Sequence, residues 1–282
     1  MKKILYLLII SIIFTGCSFN IDTMENITIY TSTYPIEFIT TRLYGENSTV
    51  LSIYPNEVIA LSDKLLSDYS KGDLFVYTGL SKERNYAVKM LNNNRRLKIV
   101  DATMGMEYKS TIEELWINPS NFLMLCLNIK NGMKEYISSS YLRKQIDDNY
   151  EELKIKVSEI DAEIKLTVEN ADKEYLLVSN DLFKFLEKYR LNVISLEDNE
   201  NLTNRRLNDA KEIIKKHNIK HIIMLETDVL NEDVEQLLEE MEIEKLYFHP
   251  LTTISTEEKA NGEDYISLSY KNINILKKEL YN

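Results

Sequence analysis

Short apolar runs alternate with helix-spaced segments along most of the chain. Residues 27–31 alternate apolar and polar positions, which predicts a strand, and residues 73–79 hold a nearly continuous apolar run, which is typical of a strand in a buried parallel sheet. Between them, residues 56–72 have apolar positions at helical spacing and predict a helix. The alternation continues through residue 103 and predicts an α/β lobe.

A long helical region follows, from residue 119 to about residue 170. Pro119 suits the first turn of a helix and Asn118 suits its N-cap, while the three serines at 138–140 predict a break. The apolar positions of the second half recur every three or four residues: Tyr150, Leu153, Val157, Ile160 and Ile164. One narrow apolar stripe on a long charged helix predicts a connection between two bodies; the alternative is an exposed helix of one bundle.

The alternation restarts after residue 170 and predicts a second α/β lobe. Strands are expected in 174–180, 191–197, 221–227 and 245–251, and helices in 181–190, 203–218, 231–242 and 264–280. The expected fold class is therefore α/β, with two lobes joined by a single long helix. The predicted division is an N-terminal lobe over 27–138, a linking helix over 139–170 and a C-terminal lobe over 171–282.

The start of the chain has the pattern of a signal peptide. A positive start, "KK", precedes an apolar run over residues 4–14, which is shorter than a membrane-spanning helix needs. The following "FTGC" resembles the lipobox of bacterial lipoproteins, which implies that Cys17 is lipidated and becomes the first mature residue. An ordinary secretory signal with a chance cysteine, or an uncleaved anchor, is the alternative. We expect residues 1–16 to be the signal peptide and 17–26 a tether.

Composition and charge narrow the class of function. The formal charge of −11 argues against nucleic acid as a partner and is compatible with cations. Neither a glycine-rich phosphate loop nor a nucleophile or metalloprotease motif is present, so no enzyme is predicted. Cys126 lies in the apolar run "FLMLCLNI" and is expected in the core. His217 and His221 are four residues apart, but Asn218 predicts a helix end between them, so we expect surface or loop histidines.

Five stretches, in order, resemble the TroA-like solute-binding lipoproteins of zinc and manganese ABC transporters. They are "TSTYPIEFITTRLYG", "GDLFVYTGLSKE", "LWINPSNF", "LVSNDLFKFLEKYRL" and "GEDYISLSYKNINIL". The resemblance covers nearly all of the mature chain and implies two α/β lobes with a metal held in the cleft between them. It also implies an ABC permease as partner, attachment by the N-terminal lipid to the outer face of the bacterial cytoplasmic membrane, and a monomer. A long linking helix implies only a modest lobe shift on binding.

The resemblance also implies four metal-ligand positions, and this chain departs from the family at each. The family typically has three histidines, the third sometimes glutamate, and a final acid. The first position falls on Asn56 when the alignment is anchored on "YP", or on Glu57 when counted back from "GDLFVYTG". The second falls on Glu114, two residues before the tryptophan, the third on Asn180, and the fourth on His249.

Two hypotheses are compatible with this altered set of metal-ligand positions. Carboxylates, an amide oxygen and one imidazole form a possible site for a divalent ion, and such an oxygen-rich set suits Mn²⁺ better than a three-histidine set does. Zinc or manganese is then the transported ligand. In the other reading the cleft has lost metal binding, and the chain is an accessory surface lipoprotein that acts in adhesion or binds another small solute.

We predict that Cys17→Ser abolishes membrane attachment, because the thiol is the site that the lipobox resemblance assigns to lipidation. In a bacterial expression host, the wild-type chain should partition into detergent and incorporate radiolabelled palmitate, whereas the variant should do neither. Cys126→Ser is the matched control and should leave labelling unchanged. Equal labelling of the wild type and Cys17→Ser would contradict the lipoprotein interpretation.

Overall fold

The computed structural model of the protein describes residues 24–55, 57–197 and 203–281. The expected signal peptide, Cys17 and Asn56 lie outside these residues. The strands are β1 Ile27–Thr31, β2 Ser48–Ser52, β3 Leu74–Tyr77, β4 Lys98–Asp101, β5 Tyr175–Val178, β6 Asn192–Ser195, β7 His221–Leu225 and β8 Glu244–Phe248. The α-helices are α1 Tyr34–Tyr44, α2 Asp63–Tyr69, α3 Glu83–Asn93, α4 Glu114–Ile117, α5 Pro119–Tyr136, α6 Ser140–Glu169, α7 Asn204–His217, α8 Glu232–Glu240, α9 Thr256–Ala260 and α10 Tyr265–Leu280. Two 3₁₀ helices cover Gly45–Asn47 and Asp181–Tyr189.

The strands form two four-stranded sheets with the same topology. Their orders are β2-β1-β3-β4 and β6-β5-β7-β8, and every neighbouring pair is parallel. All four residues of β3 are buried, as expected for a strand in the middle of a sheet covered on both faces. The prediction of two parallel α/β lobes is therefore confirmed.

Two predicted helices differ from the structure. The helix expected over residues 56–72 is only α2, because Ser62 starts it: the Ser62 hydroxyl accepts the Leu65 backbone N–H at 3.3 Å, as an N-cap residue does. The apolar residues Val58 and Ile59 precede this cap and are exposed. In the second lobe, the helix expected over 181–190 is a 3₁₀ helix over Asp181–Tyr189, and Arg190, which follows it, lies in the left-handed region with a φ of 76°.

The long helical region breaks at the serines of 138–140, as predicted. Helix α5 begins at Pro119 behind an Asn118 cap, which accepts the Ser120 N–H at 3.1 Å. Helix α6 runs for 30 residues behind a Ser139 cap. The predicted apolar stripe of α6 is buried along its whole length: Tyr150, Leu153, Val157, Ile160 and Ile164.

Helix α6 is bonded to both lobes. Near its start, the Asn149 amide donates to the Leu43 carbonyl of α1 at 2.9 Å. Further along, Asp161 accepts hydrogen bonds from Lys188 and Tyr189 of the second lobe, each at 2.7 Å. Burial raises the pKa of Asp161, but these two donors lower it more, so the carboxyl titrates below its ordinary range. The helix thus fixes the two lobes to one rigid element.

Trp116 joins the lobes a second time, beside the cleft. The side chain is 1% exposed, and its indole N–H donates to the Pro250 carbonyl of the second lobe at 2.9 Å. In return, the buried Tyr265 hydroxyl of α10 donates to the Trp116 carbonyl at 2.6 Å. The Tyr265 ring stacks on Phe122 of α5 with centroids 3.8 Å apart. Two buried hydrogen bonds and one ring stack therefore hold the lobes together at this point.

The remaining sequence expectations concern single residues. Cys126 is fully buried, as predicted, and burial raises the pKa of its thiol. His217 ends α7 and stacks on Tyr175. His221 differs from a surface histidine: it begins β7, is half-buried, and its Nδ1 lies 2.6 Å from a carboxylate oxygen of the fully buried Glu279. Among the described residues, no helix is both long and apolar enough to cross a membrane.

We predict that Ile160→Ala lowers the free energy of unfolding by about 2–5 kcal/mol, because it leaves a cavity under α6 where the side chain is 3% exposed. Ile155→Ala, on the same helix but 57% exposed, is the matched control and should change stability by less than about 0.5 kcal/mol. Denaturant unfolding followed by circular dichroism measures both. Equal losses for the two variants would contradict the packing assigned to the stripe.

We also predict that Tyr265→Phe costs about 1–3 kcal/mol, because it leaves the buried Trp116 carbonyl without its donor. Tyr281→Phe removes a similar bond, from the Tyr281 hydroxyl to the Thr167 carbonyl at 2.8 Å, on a side chain that is 40% exposed. Since water can replace that donor, the control should cost about 0.5 kcal/mol or less. Unfolding of both variants at the same denaturant concentration would contradict the stabilising role assigned to the Tyr265–Trp116 hydrogen bond.

Candidate metal-binding cleft

A cavity of about 580 Å³ lies between the lobes, at the carboxyl ends of several parallel strands. We call it the interlobe cavity; its lining includes Thr33, Thr78, Glu83, Thr111, Glu113 and Thr252. Thr33 follows β1 and Thr78 follows β3, whereas Thr252 comes from the loop after β8 of the other lobe. The carboxyl ends of parallel strands are where open α/β sheets place their ligands. The topology thus puts polar side chains from both lobes around one space.

A second cavity, of about 210 Å³, lies on the side of the C-terminal lobe. Asn180, Glu197 and Asp228 line it, together with Thr111, which also lines the interlobe cavity. The Glu197 carboxylate accepts the Ser110 hydroxyl of the first lobe at 3.0 Å and the Asp181 backbone N–H at 3.1 Å. The loop before α4 is therefore bonded across the cleft.

Glu114 is the first residue of α4 and is half-buried. One of its carboxylate oxygens, Oε2, accepts the Lys109 backbone N–H at 3.0 Å, which closes the preceding loop onto the helix. Its backbone carbonyl accepts the Asn121 amide at 3.1 Å. Glu57 is exposed, in the loop between β2 and α2.

Asn180 is the N-cap of the 3₁₀ helix and is 8% exposed. Its Oδ1 accepts the Leu182 N–H at 3.0 Å, and its Nδ2 donates to Asp228 Oδ2 at 3.0 Å. The same Asp228 oxygen accepts the Ser179 hydroxyl at 2.5 Å and the Leu225 N–H at 2.9 Å. Both ends of the Asn180 amide are therefore bonded within the protein.

His249 comes directly after β8 and is largely buried. Its Nδ1 accepts the Leu251 N–H at 3.0 Å, which places the proton of a neutral ring on Nε2. Nε2 lies 3.3 Å from Glu258 of α9. Burial raises the pKa of Glu258, but the Ser255 backbone N–H and hydroxyl, together with His249, lower it below its ordinary value. The Glu258 carboxylate thus lies within ion-pair distance of the imidazole Nε2.

The side chains of the four described candidates make no direct bonds to one another. In the part of the chain covering 24–55, 57–197 and 203–281, no hydrogen bond or ion pair joins the side chains of any two of Glu57, Glu114, Asn180 and His249. Within the same ranges, no group of three or more histidine, cysteine, aspartate or glutamate residues could hold a metal ion.

The structure also shows cleft residues that the sequence did not single out. Glu83 and Glu113 line the interlobe cavity, and Asp228 lines the cavity beside Asn180. Glu83 is only 2% exposed, a rare degree of burial for a glutamate. Its one sequence signal is its place at the end of "GDLFVYTGLSKE", which carries the family resemblance but does not mark a ligand.

Comparison with known proteins agrees with this architecture. The family model described as zinc-uptake complex component A, periplasmic (ZnuA) matches residues 29–279. No curated protein sequence matches the chain.

Solved structures match over 90% or more of the chain. The metal-dependent lipoprotein YcdH of Bacillus subtilis is 19% identical, with a TM-score of 0.72, over 91% of this chain and 100% of that one. The Zn(II)-bound ZnuA-like domain of AdcA from Streptococcus pneumoniae is 20% identical, with a TM-score of 0.69, over the same shares. The laminin-binding protein Lmb of Streptococcus agalactiae, described as a bifunctional adhesin and metal transporter, is 15% identical, with a TM-score of 0.69, over 90% of this chain and 100% of that one.

At identities of 15–20%, the similarity to solved structures shows only the fold. Membership of a family is shown by the match of the family model. The function expected from the resemblance, a solute-binding component of a metal ABC importer outside the cytoplasm, is the function of this family. The match spans both lobes and the helix between them. The chain belongs to the ZnuA family of periplasmic zinc-uptake components.

Proposed function

We propose that this protein captures a divalent metal ion, zinc or manganese, in the interlobe cleft and delivers it to the permease of an ABC importer. The observation that carries the proposal is the family match over residues 29–279, which includes both walls of the cleft. Carboxylates on both walls, Glu113 from one lobe and Glu197 and Asp228 from the other, support a cationic solute. Capture is binding, so no catalytic residue is assigned.

We propose Glu57, Glu114, Asn180 and His249 as the metal ligands, with Asn56 as the alternative to Glu57. Glu114 supports this role because its Oε1 makes no hydrogen bond with the described residues. Asn180 and His249 must exchange bonds: a metal would compete with the Leu182 N–H for Asn180 Oδ1, and with Glu258 for His249 Nε2. These competing bonds should weaken the site relative to one with unengaged histidines.

The donor set bears on which metal is carried. Three oxygen donors and one imidazole suit Mn²⁺, which accepts carboxylate and carbonyl ligands readily. Zinc is favoured by the family description and by the zinc-bound relative from Streptococcus pneumoniae. The affinities of the protein for manganese and for zinc should therefore be compared directly.

We propose that Cys17 carries a lipid that holds the protein at the outer face of the cytoplasmic membrane, with residues 17–26 as tether. The lipobox "FTGC" supports this, and so does the relative from Bacillus subtilis, which is described as a lipoprotein. We further propose that the chain acts as a monomer.

An accessory role, as an adhesin or as a binder of another small solute, is the second candidate. It is favoured by the bonds that Asn180 and His249 already make within the protein, which engage the atoms that a metal would need. The bifunctional relative from Streptococcus agalactiae shares the fold. Under this hypothesis the same two lobes bind a partner or another small solute and do not carry a metal.

We predict that the mature chain, with Cys17→Ser to keep it in solution, binds Zn²⁺ or Mn²⁺ with a Kd below about 1 µM in calorimetric titration. His249→Ala should abolish this binding because it removes the one imidazole of the set. His217→Ala is the control and should bind normally, since His217 stacks on Tyr175 at the end of α7. If neither ion produces heat or raises the melting temperature, the metal proposal fails and the accessory role is favoured.

A further inference from the structure

The strands of the N-terminal lobe all begin at one edge of its sheet, which lies opposite the interlobe cavity. Because β1, β2, β3 and β4 are parallel, their first residues share this edge and their carboxyl ends share the other. Thr33 and Thr78, which line the interlobe cavity, follow the carboxyl ends of β1 and β3. The edge where the strands begin is therefore turned away from the cavity.

Helix α5 brings the start of α6 to the same edge. It runs antiparallel to β4: the Asn128 amide donates to the Ala102 carbonyl just after the strand, and the Tyr136 hydroxyl donates to the Ile99 carbonyl near its start, each at 3.0 Å. The turn that follows Tyr136 therefore lies beside the first residues of β4. We call the resulting surface the N-lobe base; it consists of residues 24–26, 45–47, 70–73, 94–97 and 137–145.

The proposed lipid anchor joins the protein at the N-lobe base. The Asn26 N–H donates to the Asn47 carbonyl at 2.8 Å, and the Asn47 amide donates to Gln145 of α6 at 2.9 Å. Six residues separate Cys17 from Met24. Since a chain spans at most about 3.5 Å per residue, a lipid on Cys17 keeps the base within about 25 Å of the bilayer.

The N-lobe base carries a net positive charge although the chain as a whole is acidic. Its residues include five lysines and arginines against three acids, a formal charge of +2, whereas the whole chain has a formal charge of −11. Arg95 and Arg96 are exposed in the loop before β4, and within residues 24–55, 57–197 and 203–281 neither guanidinium forms an ion pair. Both can therefore donate hydrogen bonds to an anionic partner.

Arg143 adds a third positive charge near the start of α6. Its guanidinium donates to the Ile137 and Lys134 carbonyls at 2.6 and 2.8 Å, which holds the side chain in place without neutralising its charge. The two lysines of the base contribute less, because each is paired with a nearby aspartate. The three arginines thus supply most of the positive charge that a partner would meet.

The acids of the base offset Arg95 and Arg96 only weakly. Asp73 already accepts the Thr28 backbone N–H at 2.8 Å. Glu25 and Glu46 precede β1 and β2, and with strands about 4.8 Å apart they lie roughly 10 and 15 Å across the sheet from the start of β4. Charges that far apart are largely screened, because the Debye length is about 10 Å at 0.1 M salt.

Tyr141 gives the N-lobe base an exposed aromatic ring. It lies in the first turn of α6, two residues before Arg143, and is 74% exposed. Tyrosine is enriched where proteins meet the headgroups of a bilayer, because its ring is apolar and its hydroxyl is polar. Arginine matches the geometry of phosphate oxygens with paired N–H donors. Three arginines and one exposed tyrosine on a surface beside the tether match the headgroups of anionic phospholipids.

We propose that the N-lobe base docks on the bilayer that anchors the protein, with Arg95, Arg96 and Arg143 against anionic lipid phosphates and Tyr141 at the level of the headgroups. The inference rests on the proposed function only for the lipid on Cys17, which brings the surface and the bilayer together. Docking by the base directs the opposite edge of the lobe, with the interlobe cavity, away from the membrane. The cavity is then open to the space from which a solute arrives.

A few exposed cations bind an anionic bilayer weakly, and salt weakens the attraction further. The docked orientation is therefore reversible, as it must be if the same cleft is to reach a permease in that bilayer. The docking surface and the metal ligands share no residue, so the two proposals are separable by mutation.

Vesicle sedimentation of the mature Cys17→Ser chain tests the surface without its lipid. At about 20 mM salt the chain should partition onto vesicles of equal parts phosphatidylglycerol and phosphatidylcholine, and not onto vesicles of phosphatidylcholine alone. Raising the salt to about 0.5 M should release it, because the Debye length falls well below 10 Å.

The double variant Arg95→Gln/Arg96→Gln should weaken partitioning by about tenfold or more, since each cation close to an anionic surface contributes about fivefold. Lys215→Gln/Lys216→Gln makes the same change of charge at the exposed end of α7 in the other lobe and should weaken it by less than about twofold. Tyr141→Ser keeps every charge and should weaken partitioning by about threefold. All of these side chains are exposed, and circular dichroism confirms that each variant folds.

Equal partitioning onto the two kinds of vesicle would overturn the inference, and so would equal losses in the two double variants. Neither result touches the proposed function, which palmitate labelling of Cys17 and titration with Zn²⁺ and Mn²⁺ test separately. Conversely, partitioning that depends on Arg95 and Arg96 in a chain whose Cys17 takes up no palmitate would support the docking surface and overturn the proposed anchor.

Discussion

The hydrogen bond from the Trp116 indole to the Pro250 carbonyl sets the geometry on which the cleft depends. It joins the two lobes in a buried place, where an unpaired donor or acceptor is costly. Glu114 lies two residues before Trp116, and His249 lies one residue before Pro250. Two of the proposed ligands from opposite lobes are therefore tied to the two ends of one bond. The Tyr265 hydroxyl, which donates to the Trp116 carbonyl, holds the same segment from α10.

Helix α6 adds a second constraint on how far the lobes can separate. Its buried face runs along the helix, and Asn149 and Asp161 bond it to different lobes. A single packed helix resists hinge bending because its apolar face would be exposed by rotation of either lobe. Changes on binding are therefore expected in loops and side chains, such as the 105–113 loop held by the Ser110–Glu197 bond.

The fold was predictable because apolar patterns report burial directly. The stripe on α6 and the four-residue core strand β3 are visible as spacing in the sequence, and both are buried as expected. The helix predicted over 56–72 is present but shorter, because the Ser62 cap starts it at Asp63 although helical apolar spacing continues before that residue. No sequence pattern predicted the burial of Glu83, because its hydrogen-bond partner Tyr54 lies 29 residues earlier and only the fold brings the two together. The metal ligands came from resemblance alone and remain predictions.

Two of the proposed ligands can bind an ion only by giving up bonds that they already make within the protein. If Asn180 and His249 are ligands, as we propose, their bonds with Leu182 and Glu258 are exchanged for direct coordination, so the site holds only an ion whose bonds to oxygen and nitrogen outweigh that loss. The exchange leaves the bonds at Trp116 in place, so under the proposed ligand set the affinity of the cleft for an ion depends on Asn180 and His249 and not on movement of the lobes.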